Sequence, residues 1–503
     1  MKLSITTTRG PIVACLRLFA VAVICAFSAG AAAGGISTTD QPQVVPTAIV
    51  VGAGNPLIDV PAVQSAVDQG GTVLLRGTFD FGTDAGNHII VPGRPYPDQD
   101  EKGRSTVFIY QKDITILGET GKQGELLTVV KNGMPAFYIG WDGEVSRVLP
   151  SGTYGVDFGI EIFPVDGVGR VSYRDTGPEP GYTGPQTRYA RAYQNVSATI
   201  KTIFFDSPKH YGVKATAGRD VFVIGNTFSN VQFGGLVHLN NYARATYIAA
   251  GFGGASLFYA PFVYPAISGS IVAERNFVDD VGTEPMVGGT HMGESIGLTA
   301  IGTNAAVRIE RNEVHNVGRQ ENGTGPVATA VSILLVDNYK ASPLVAHNIV
   351  YNSSGIGIRD LVGLAPSPGP TIQHNTLVDC NIGIQTISWI GPRTGVLIHQ
   401  NSISQDGLLG SGQSCIVANQ LSESLIRANR FEGDYTWPLV MLQSSSNNVL
   451  LENRDLRSTD LPESPTYFLD MSSSGNLIIG ASGTAQDTGT NNKVFLHGPG
   501  GEQ

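Results

Sequence analysis

The sequence has little charge and little cysteine, and each scarcity excludes a class of protein. Only 15% of its 503 residues are charged, and the formal net charge of −10 argues against a dedicated nucleic-acid binder. Four cysteines are too few for a disulfide scaffold. Hydrophobic residues make up 41% of the chain, which excludes wholesale disorder, and its 63 glycines lack the three-residue period of collagen.

The amino terminus has the pattern of an export signal. Three basic residues, Lys2, Arg9 and Arg17, precede a short apolar segment over 18–27, and small residues follow to residue 33. We therefore expect residues 1–33 to be a signal peptide and the protein to be secreted or periplasmic, without a membrane contact after signal removal. A retained anchor is the alternative, although the apolar segment is short for a membrane span.

Two cysteines, Cys380 and Cys415, lie outside the predicted signal. They can form one bridge, or they can remain buried thiols that pack as small hydrophobic residues, which is the interpretation we favour. In either case the fold depends on packing and hydrogen bonds.

An internal repeat centred on asparagine predicts the architecture. An apolar residue stands three positions before the Asn and another two positions after it, in segments such as IVAERNFV and TIQHNTLV. The repeated residues are Asn226, Asn276, Asn312, Asn348, Asn375, Asn401, Asn429 and Asn453. Their spacing shortens from 50 residues between the first two to 24 between the last two, so insertions enlarge the early units.

Each unit also contains a second β-branched segment with a period of two, such as VSILLV from Val331. Short strands joined by turns and stacked unit upon unit predict an all-β fold, a right-handed parallel β-helix. Asn suits the bend because it tolerates the left-handed region, and its amide can bond to the equivalent amide one coil away. Leucine-rich repeats share part of the pattern, but here Val and Ile dominate and a second strand recurs.

A short helix is predicted before the first strands. It spans Asp59 to Asp68, with Asp59 as its cap and Pro61 in its first turn, and the strand segments GGTVLL and GTF follow. This order resembles the start of the pectin-lyase-like superfamily of secreted β-helix proteins, in which such a helix caps the first coil. The resemblance extends over roughly Leu57 to Leu496 and implies fold rather than chemistry, because the superfamily includes lyases, hydrolases, epimerases and binding proteins.

The resulting domain plan contains one solenoid. Residues 34–56 form an N-terminal linker, 57–496 form a single β-helix domain, and 497–503 form a tail. Insertions lie near 141–193, 240–270 and 279–295. Long loops on a regular scaffold are disproportionately functional, so these insertions are expected to wall a substrate groove.

Aromatic residues in the insertions are candidates for stacking on sugar rings. They are Trp141, Tyr242, Tyr247, Tyr259 and Tyr264. A self-packed cover over the helix and an oligomer contact remain alternatives for the aromatic loop, and the oligomeric state is left open.

Strand alternation places basic side chains on the outer face of the coils. If Val213 and Ala215 point inward, Lys214 points outward, and His238 follows on the next coil, with Arg359 on a later one. A β-elimination on a uronate needs a cation or proton donor at the carboxylate and a base at C5, so these three residues are the lyase candidates. A shift of one residue in register would invert these assignments.

Acidic residues suggest two other chemistries. Hydrolysis needs two carboxylates about 5–9.5 Å apart, and Asp279 and Asp280 are candidates, with His291 to assist. Glu284 and Glu294 are candidate ligands for calcium, a cation that takes oxygen ligands. An acidic loop exposed to solvent is the alternative, and no other cofactor is implied.

Several motifs of known subfamilies are absent. The sequence lacks the Asn-Thr-Asp, Asp-Asp and Arg-Ile-Lys series of polygalacturonase-like hydrolases and the Asp-Pro-His of epimerase-like members. The resemblance therefore implies a polysaccharide as the partner, with a lyase favoured. A glycoside hydrolase and a non-catalytic carbohydrate-binding or cell-surface protein remain alternatives.

Overall fold

The structure is a computed structural model of the 503-residue chain. It describes residues 45–82, 106–133, 136–148, 161–165, 168–175, 186–193, 195–208, 212–215, 218–231, 237–240, 269–281, 296–301, 305–318, 330–338, 340–363, 366–405, 412–457 and 464–497. The predicted signal peptide lies outside the described residues. In the part of the chain that the structure describes, no helix has both the length and the apolar character needed to cross a bilayer.

Fourteen parallel strands, one from each successive coil, form the first long sheet, here named sheet 1. They are Ala48–Val51, Gly71–Arg76, Ile114–Gly118, Ser197–Lys201, Asp220–Ile224, Ser270–Glu274, Ala306–Glu310, Leu344–Ala346, Thr371–Gln373, Leu397–His399, Leu425–Arg427, Val449–Leu451, Leu477–Ser482 and Lys493–His497. The first of these strands lies in the stretch assigned above to the N-terminal linker and pairs with Gly71–Arg76.

The strands that follow the repeated Asn form sheet 2. They are Thr78–Asp80, Val129–Lys131, Phe204–Asp206, Thr227–Val231, Phe277–Val281, Glu313–Val317, Ser402–Ser404, Arg430–Glu432 and Arg454–Asp455, together with the first halves of Ile349–Val362 and Thr376–Ser388.

Sheet 3 completes the coil. It contains Val107–Ile109, Phe137–Ile139, Val213–Ala215, Val237–Asn240, Ile296–Ile301, Val331–Val336, Ser414–Asn419, Val440–Gln443, Tyr467–Leu469 and Ala485–Asp487, and the second halves of Ile349–Val362 and Thr376–Ser388. These two long strands join sheets 2 and 3 into one hydrogen-bonded array. A short strand pair, Arg393–Thr394 with Leu421–Ser422, lies between sheets 3 and 1.

The architecture is the predicted right-handed parallel β-helix. Each coil hydrogen-bonds to its neighbours about 4.8 Å away, so backbone groups in the strands are satisfied between coils. Residues that alternate inward form one continuous apolar core from Val60 to Ala481. Within that core Phe81, Phe137, Phe205 and Phe228 are fully buried and stack on consecutive coils, with ring centroids 4.6 to 5.9 Å apart.

The predicted asparagine ladder is confirmed. The repeated asparagines from Asn226 to Asn453 are all buried, and Nδ2 of each one up to Asn429 donates to Oδ1 of the asparagine one coil further on, at 2.9 to 3.2 Å. A second ladder, which the sequence reading missed, joins Asn448, Asn476 and Asn492 at 2.9 and 3.0 Å. The ladders therefore hold two different corners of the coil.

The expectation that the ladder asparagines adopt the left-handed conformation is wrong. The residue before the Asn adopts it instead, as in Arg275, Arg311, His347 and His374, with φ of 54° to 57°. The Asn itself is needed for its amide, which donates to a strand carbonyl as well as to the next coil. The bend thus tolerates several side chains at the preceding position.

The N-terminal helix exists, but it starts earlier than predicted. Helix α1 spans Pro56–Gln69 and is capped by Asn55, whose side chain accepts from the backbone N–H of Leu57. Asp59 is buried within the first turn and accepts from the backbone N–H groups of Ala53, Asn55 and Asp80. Asp59 therefore fastens the helix to the adjoining chain instead of capping it, and Val60 and Val63 cover the end of the core.

The first insertion contains a separate antiparallel sheet. Its strands, in spatial order, are Trp141–Val148, Gln186–Tyr193, Val168–Asp175 and Glu161–Val165. The backbone N–H of Tyr193 donates to the carbonyl oxygen of Gly140, at the point where the chain re-enters the solenoid. Most of the insertion near 240–270 and of that near 279–295 lies outside the described residues.

Both described cysteines are free, as favoured above. Cys380 and Cys415 are buried in the core of the C-terminal coils. Burial raises the pKa of the Cys380 thiol to about 12 and also raises that of Cys415.

Candidate functional site

The strand Val213–Ala215 presents Lys214 on the outer side of sheet 3. Val213 and Ala215 are fully buried in the core, whereas Lys214 is half-buried. The alternation proposed from the sequence therefore holds at this strand, and the register did not slip.

Pairing between coils places one residue per strand in a row along the outside of sheet 3, here named the central column. In order it contains Phe108, Tyr138, Lys214, His238, Thr299, Leu334, Arg359, Gln385, Val417, Met441, Phe468 and Gln486. Lys214 and His238 are direct register partners on adjacent coils. The backbone position of His238 is described, and its side chain lies outside the described part of the structure.

Tyr138 is the neighbour of Lys214 on the preceding coil, and the sequence reading missed it. The Lys214 Nζ lies 5.5 Å from the centroid of the buried Tyr138 ring, a cation–π distance. Burial lowers the pKa of Lys214 to about 7, so a substantial share of the amine is neutral near pH 7. The alternation of Phe137, Tyr138 and Ile139 would have revealed this position once it was aligned with Val213–Ala215.

Arg359 occupies the central column, as predicted, but far from Lys214. Four coil steps separate the two residues, through His238, Thr299 and Leu334. At about 4.8 Å a step, the distance along the axis is about 19 Å. Arg359 and Lys214 therefore cannot act on the same sugar ring.

Several polar atoms on this outer face are buried and have no hydrogen-bond partner among the described residues. They are Thr299 Oγ1, Ser332 Oγ, Arg359 Nε and Gln385 Oε1. Native proteins leave few buried polar atoms unsatisfied, so a row of them on one face calls for an explanation.

The acids proposed for hydrolysis take up positions in the polypeptide bend between sheets 2 and 3. Asp279 is half-buried on sheet 2 and accepts a hydrogen bond of 2.7 Å from Asn316 Nδ2 on the next coil. Asp280 adopts the left-handed conformation at the bend, with φ of 55°. The structure therefore places both residues at a structural corner that repeats from coil to coil.

The remaining candidates lie where the structure gives no side chains. His291, Glu284, Glu294, Tyr242, Tyr247, Tyr259 and Tyr264 are outside the described residues, and Trp141 is described only by its backbone at the start of the antiparallel sheet. Within the described ranges, no group of three or more His, Cys, Asp or Glu side chains is placed to hold a metal ion. Calcium at Glu284 and Glu294 remains a prediction.

Glu and Arg side chains beside the ladder form a strip of ion pairs. Arg311 Nη1 lies 3.1 Å from Glu274 Oε1 across one coil, and Arg308 pairs with Glu310. Further along the same corner, the His347 and His374 rings stack 4.9 Å apart, and His399 follows at 5.5 Å. This corner lies beside sheet 1 and apart from the central column.

No protein-family model matches the chain, and no curated protein resembles it in sequence. The A-module of the mannuronan C-5 epimerase AlgE4 from Azotobacter vinelandii is similar at a TM-score of 0.47 and 11% identity, over 89% of this chain and 96% of that chain.

A tailspike protein variant of the E. coli bacteriophage HK620, in complex with a pentasaccharide, is similar at a TM-score of 0.48 and 12% identity. The match covers 85% of this chain and 64% of the tailspike chain. The chain thus spans less than two thirds of the tailspike's length.

Proposed function

We propose that this protein is an extracytoplasmic polysaccharide lyase that cleaves a uronic-acid-containing glycan by β-elimination on the outer face of sheet 3. One observation carries the proposal: Lys214 and His238 are register partners on adjacent coils, and Lys214 is held beside Tyr138 with a lowered pKa. A basic group with a pKa near the working pH is the kind that proton abstraction requires. The predicted export signal supports the location.

The chemistry needs one base and one acid. The neutral amine of Lys214 takes the proton from C5 of the uronate, the C4–C5 double bond forms, and the C4–O bond breaks. His238, as an imidazolium, gives a proton to the departing oxygen, so the protein's total proton count is unchanged. The buried Tyr138 ring lies beneath the Lys214 amine and helps to position it.

Hydrolysis and binding without catalysis remain the competing functions on this scaffold. For hydrolysis, the described acids offer no free pair, since Asp279 accepts from Asn316 and Asp280 lies in the bend. We therefore favour a lyase over a hydrolase.

Incubation of the protein with a panel of uronate and neutral glycans tests the proposal. We expect ultraviolet absorbance from the new double bond with a uronate polymer, and a loss of about 10²-fold or more in kcat/KM for Lys214→Met and for His238→Gln. Lys131→Met is a matched control, because Lys131 is an exposed lysine on sheet 2. New reducing ends without absorbance would indicate a hydrolase, and binding without any product would indicate a non-catalytic protein.

A further inference from the structure

Two polar side chains in the central column lack partners although part of each is buried. Arg359 and Gln385 are register partners on adjacent coils, and both side chains are half-buried on the outer face of sheet 3. Among the described residues, the buried donor Arg359 Nε has no acceptor and the buried acceptor Gln385 Oε1 has no donor. A buried polar group that lacks a partner is costly, so both groups favour a polar ligand.

In the part of the chain that the structure describes, the charge of Arg359 is not neutralised by a carboxylate. The adjacent carboxylate, Asp360, points to the inside of the coil, where Arg393 Nε and Nη2 donate to it at 2.8 and 2.9 Å. Among the described residues, no acid forms an ion pair with Arg359. Its guanidinium therefore remains available for an anionic group from outside the chain.

The column becomes apolar immediately beyond this pair. Val417, Met441 and Phe468 occupy the next three coils in register with Gln385. Val417 and Met441 belong to a small hydrophobic cluster that is separate from the main core, and Phe468 packs against it. Val417 and Met441 are buried, whereas Phe468 is half-buried and offers an apolar surface on the same face as the polar pair. A sugar, which has polar edges and C–H-rich faces, suits such a combination.

We propose that Arg359 and Gln385 form a remote subsite that binds a carboxylate-bearing sugar unit while another unit of the same polymer lies at Lys214. This inference rests on the proposed function and adds a substrate requirement to it. Arg359 lies about 19 Å from Lys214 along the axis of the coils, and Gln385 lies one coil further. Only a glycan long enough to span these coils contacts both places, so the protein selects long uronate chains.

A length series of oligomers tests the requirement. Size-graded galacturonate and mannuronate oligomers, from dimers to chains longer than about 25 Å, are assayed with the wild type and with Arg359→Met. We expect kcat/KM of the wild type to rise with length. Arg359→Met should lose about tenfold or more on long chains, the value of a charge-assisted hydrogen bond, and much less on dimers, which are too short to reach it.

Two kinetic outcomes would overturn the subsite. An equal loss on short and long oligomers would give Arg359 a catalytic or structural role, and an unchanged rate on long oligomers would remove it from substrate binding. Arg430→Met is the matched control, because Arg430 is an exposed arginine on sheet 2. Arg359→Lys keeps the positive charge and should retain part of the length dependence.

A binding measurement separates this inference from the lyase proposal. In the Lys214→Ala background, the affinity for a long oligomer is measured by calorimetry with and without Arg359→Met and Gln385→Leu. A loss of about tenfold or more with Arg359→Met supports the subsite even when no glycan is cleaved. Unchanged affinity in both variants overturns it, whatever the activity of the wild type, and melting temperatures close to the parent's verify that the variants are folded.

Discussion

The lysine at position 214 illustrates how two environmental effects on one residue oppose each other. The Tyr138 ring, 5.5 Å from Lys214 Nζ, attracts the charged ammonium, an effect worth about 0.5–2 kcal/mol. Burial removes water from the same group and favours the neutral amine. Burial lowers the pKa of Lys214 to about 7. A lysine on the outer face of a strand thus becomes a usable base only through what surrounds it.

This shift predicts the pH dependence of the proposed reaction. The base must be neutral and His238 must carry a proton, so kcat/KM should rise about tenfold per pH unit well below pH 7, where Lys214 loses its proton, and fall again at higher pH as His238 loses its own. The measurement is a pH profile of kcat/KM on a uronate polymer. A profile without the rising limb, in which the rate only falls as the pH increases, would instead assign Lys214 the role of the acid.

The histidines beside the asparagine ladder also have shifted pKa values, and these shifts affect stability. Burial, and next the neighbouring His347, lower the pKa of His374, and burial, followed by His374, lowers that of His399. These rings bind fewer protons in the folded protein than in the unfolded chain. Their contribution to stability is therefore present above pH 6.5 and is lost as the pH falls through the ordinary histidine range.

At the scale of the element, the asparagine ladder is the main device that fixes one coil on the next. Asn375 Oδ1 accepts from both the backbone N–H and Nδ2 of Asn348, while its own Nδ2 donates to Val345 and Asn401. A single buried amide therefore joins its own coil to the coils on both sides. No other side chain of this size supplies both donors and acceptor at that position.

Replacement of Asn375 by Ala should destabilise the protein by about 2–4 kcal/mol, because it leaves several buried polar groups without partners. The measurement is the urea midpoint at unchanged m-value. Thr376→Ala, at the exposed neighbouring position, should change stability by less than about 0.5 kcal/mol. Equal effects of the two substitutions would contradict the role of the ladder.

At the scale of the whole molecule, stability comes from stacking neighbours. One apolar core runs through all coils, helix α1 covers its first end, and each coil contacts the coils beside it. In such a solenoid, local opening of a few coils costs less than global unfolding. The reactivity of the buried Cys380 and Cys415 thiols measures such local opening, because both residues lie in the C-terminal coils.

In the native protein, neither thiol should react with an alkylating reagent near pH 8. Both are buried, and the pKa of Cys380 is raised to about 12, so thiolate is scarce. Peptide mass spectrometry should show both cysteines modified only in denaturant. Rapid modification of one of them in native buffer would show that the C-terminal coils open independently.

Local repetition made much of the fold predictable. The asparagine repeat identifies the coils, and the period-two segments beside it identify sheets 2 and 3, because both signals lie within about ten residues. The same local signals misplaced the helix cap, since Asn55 and Asp59 are both good caps and only the buried position of Asp59 distinguishes them. They also assigned the left-handed bend to Asn, whereas backbone geometry requires it one residue earlier.

By itself, the sequence determined the parallel β-helix, the ladder, and the outward position of Lys214, because alternation within a strand is a local property. The tertiary structure alone decided which residues share a column. His238 and Thr299 are 61 positions apart in the chain and yet adjacent in register, while Lys214 and Arg359 belong to one column but are too far apart to share a sugar. Insertions of unequal length hide that register, and hydrogen bonds and inward packing between coils set it.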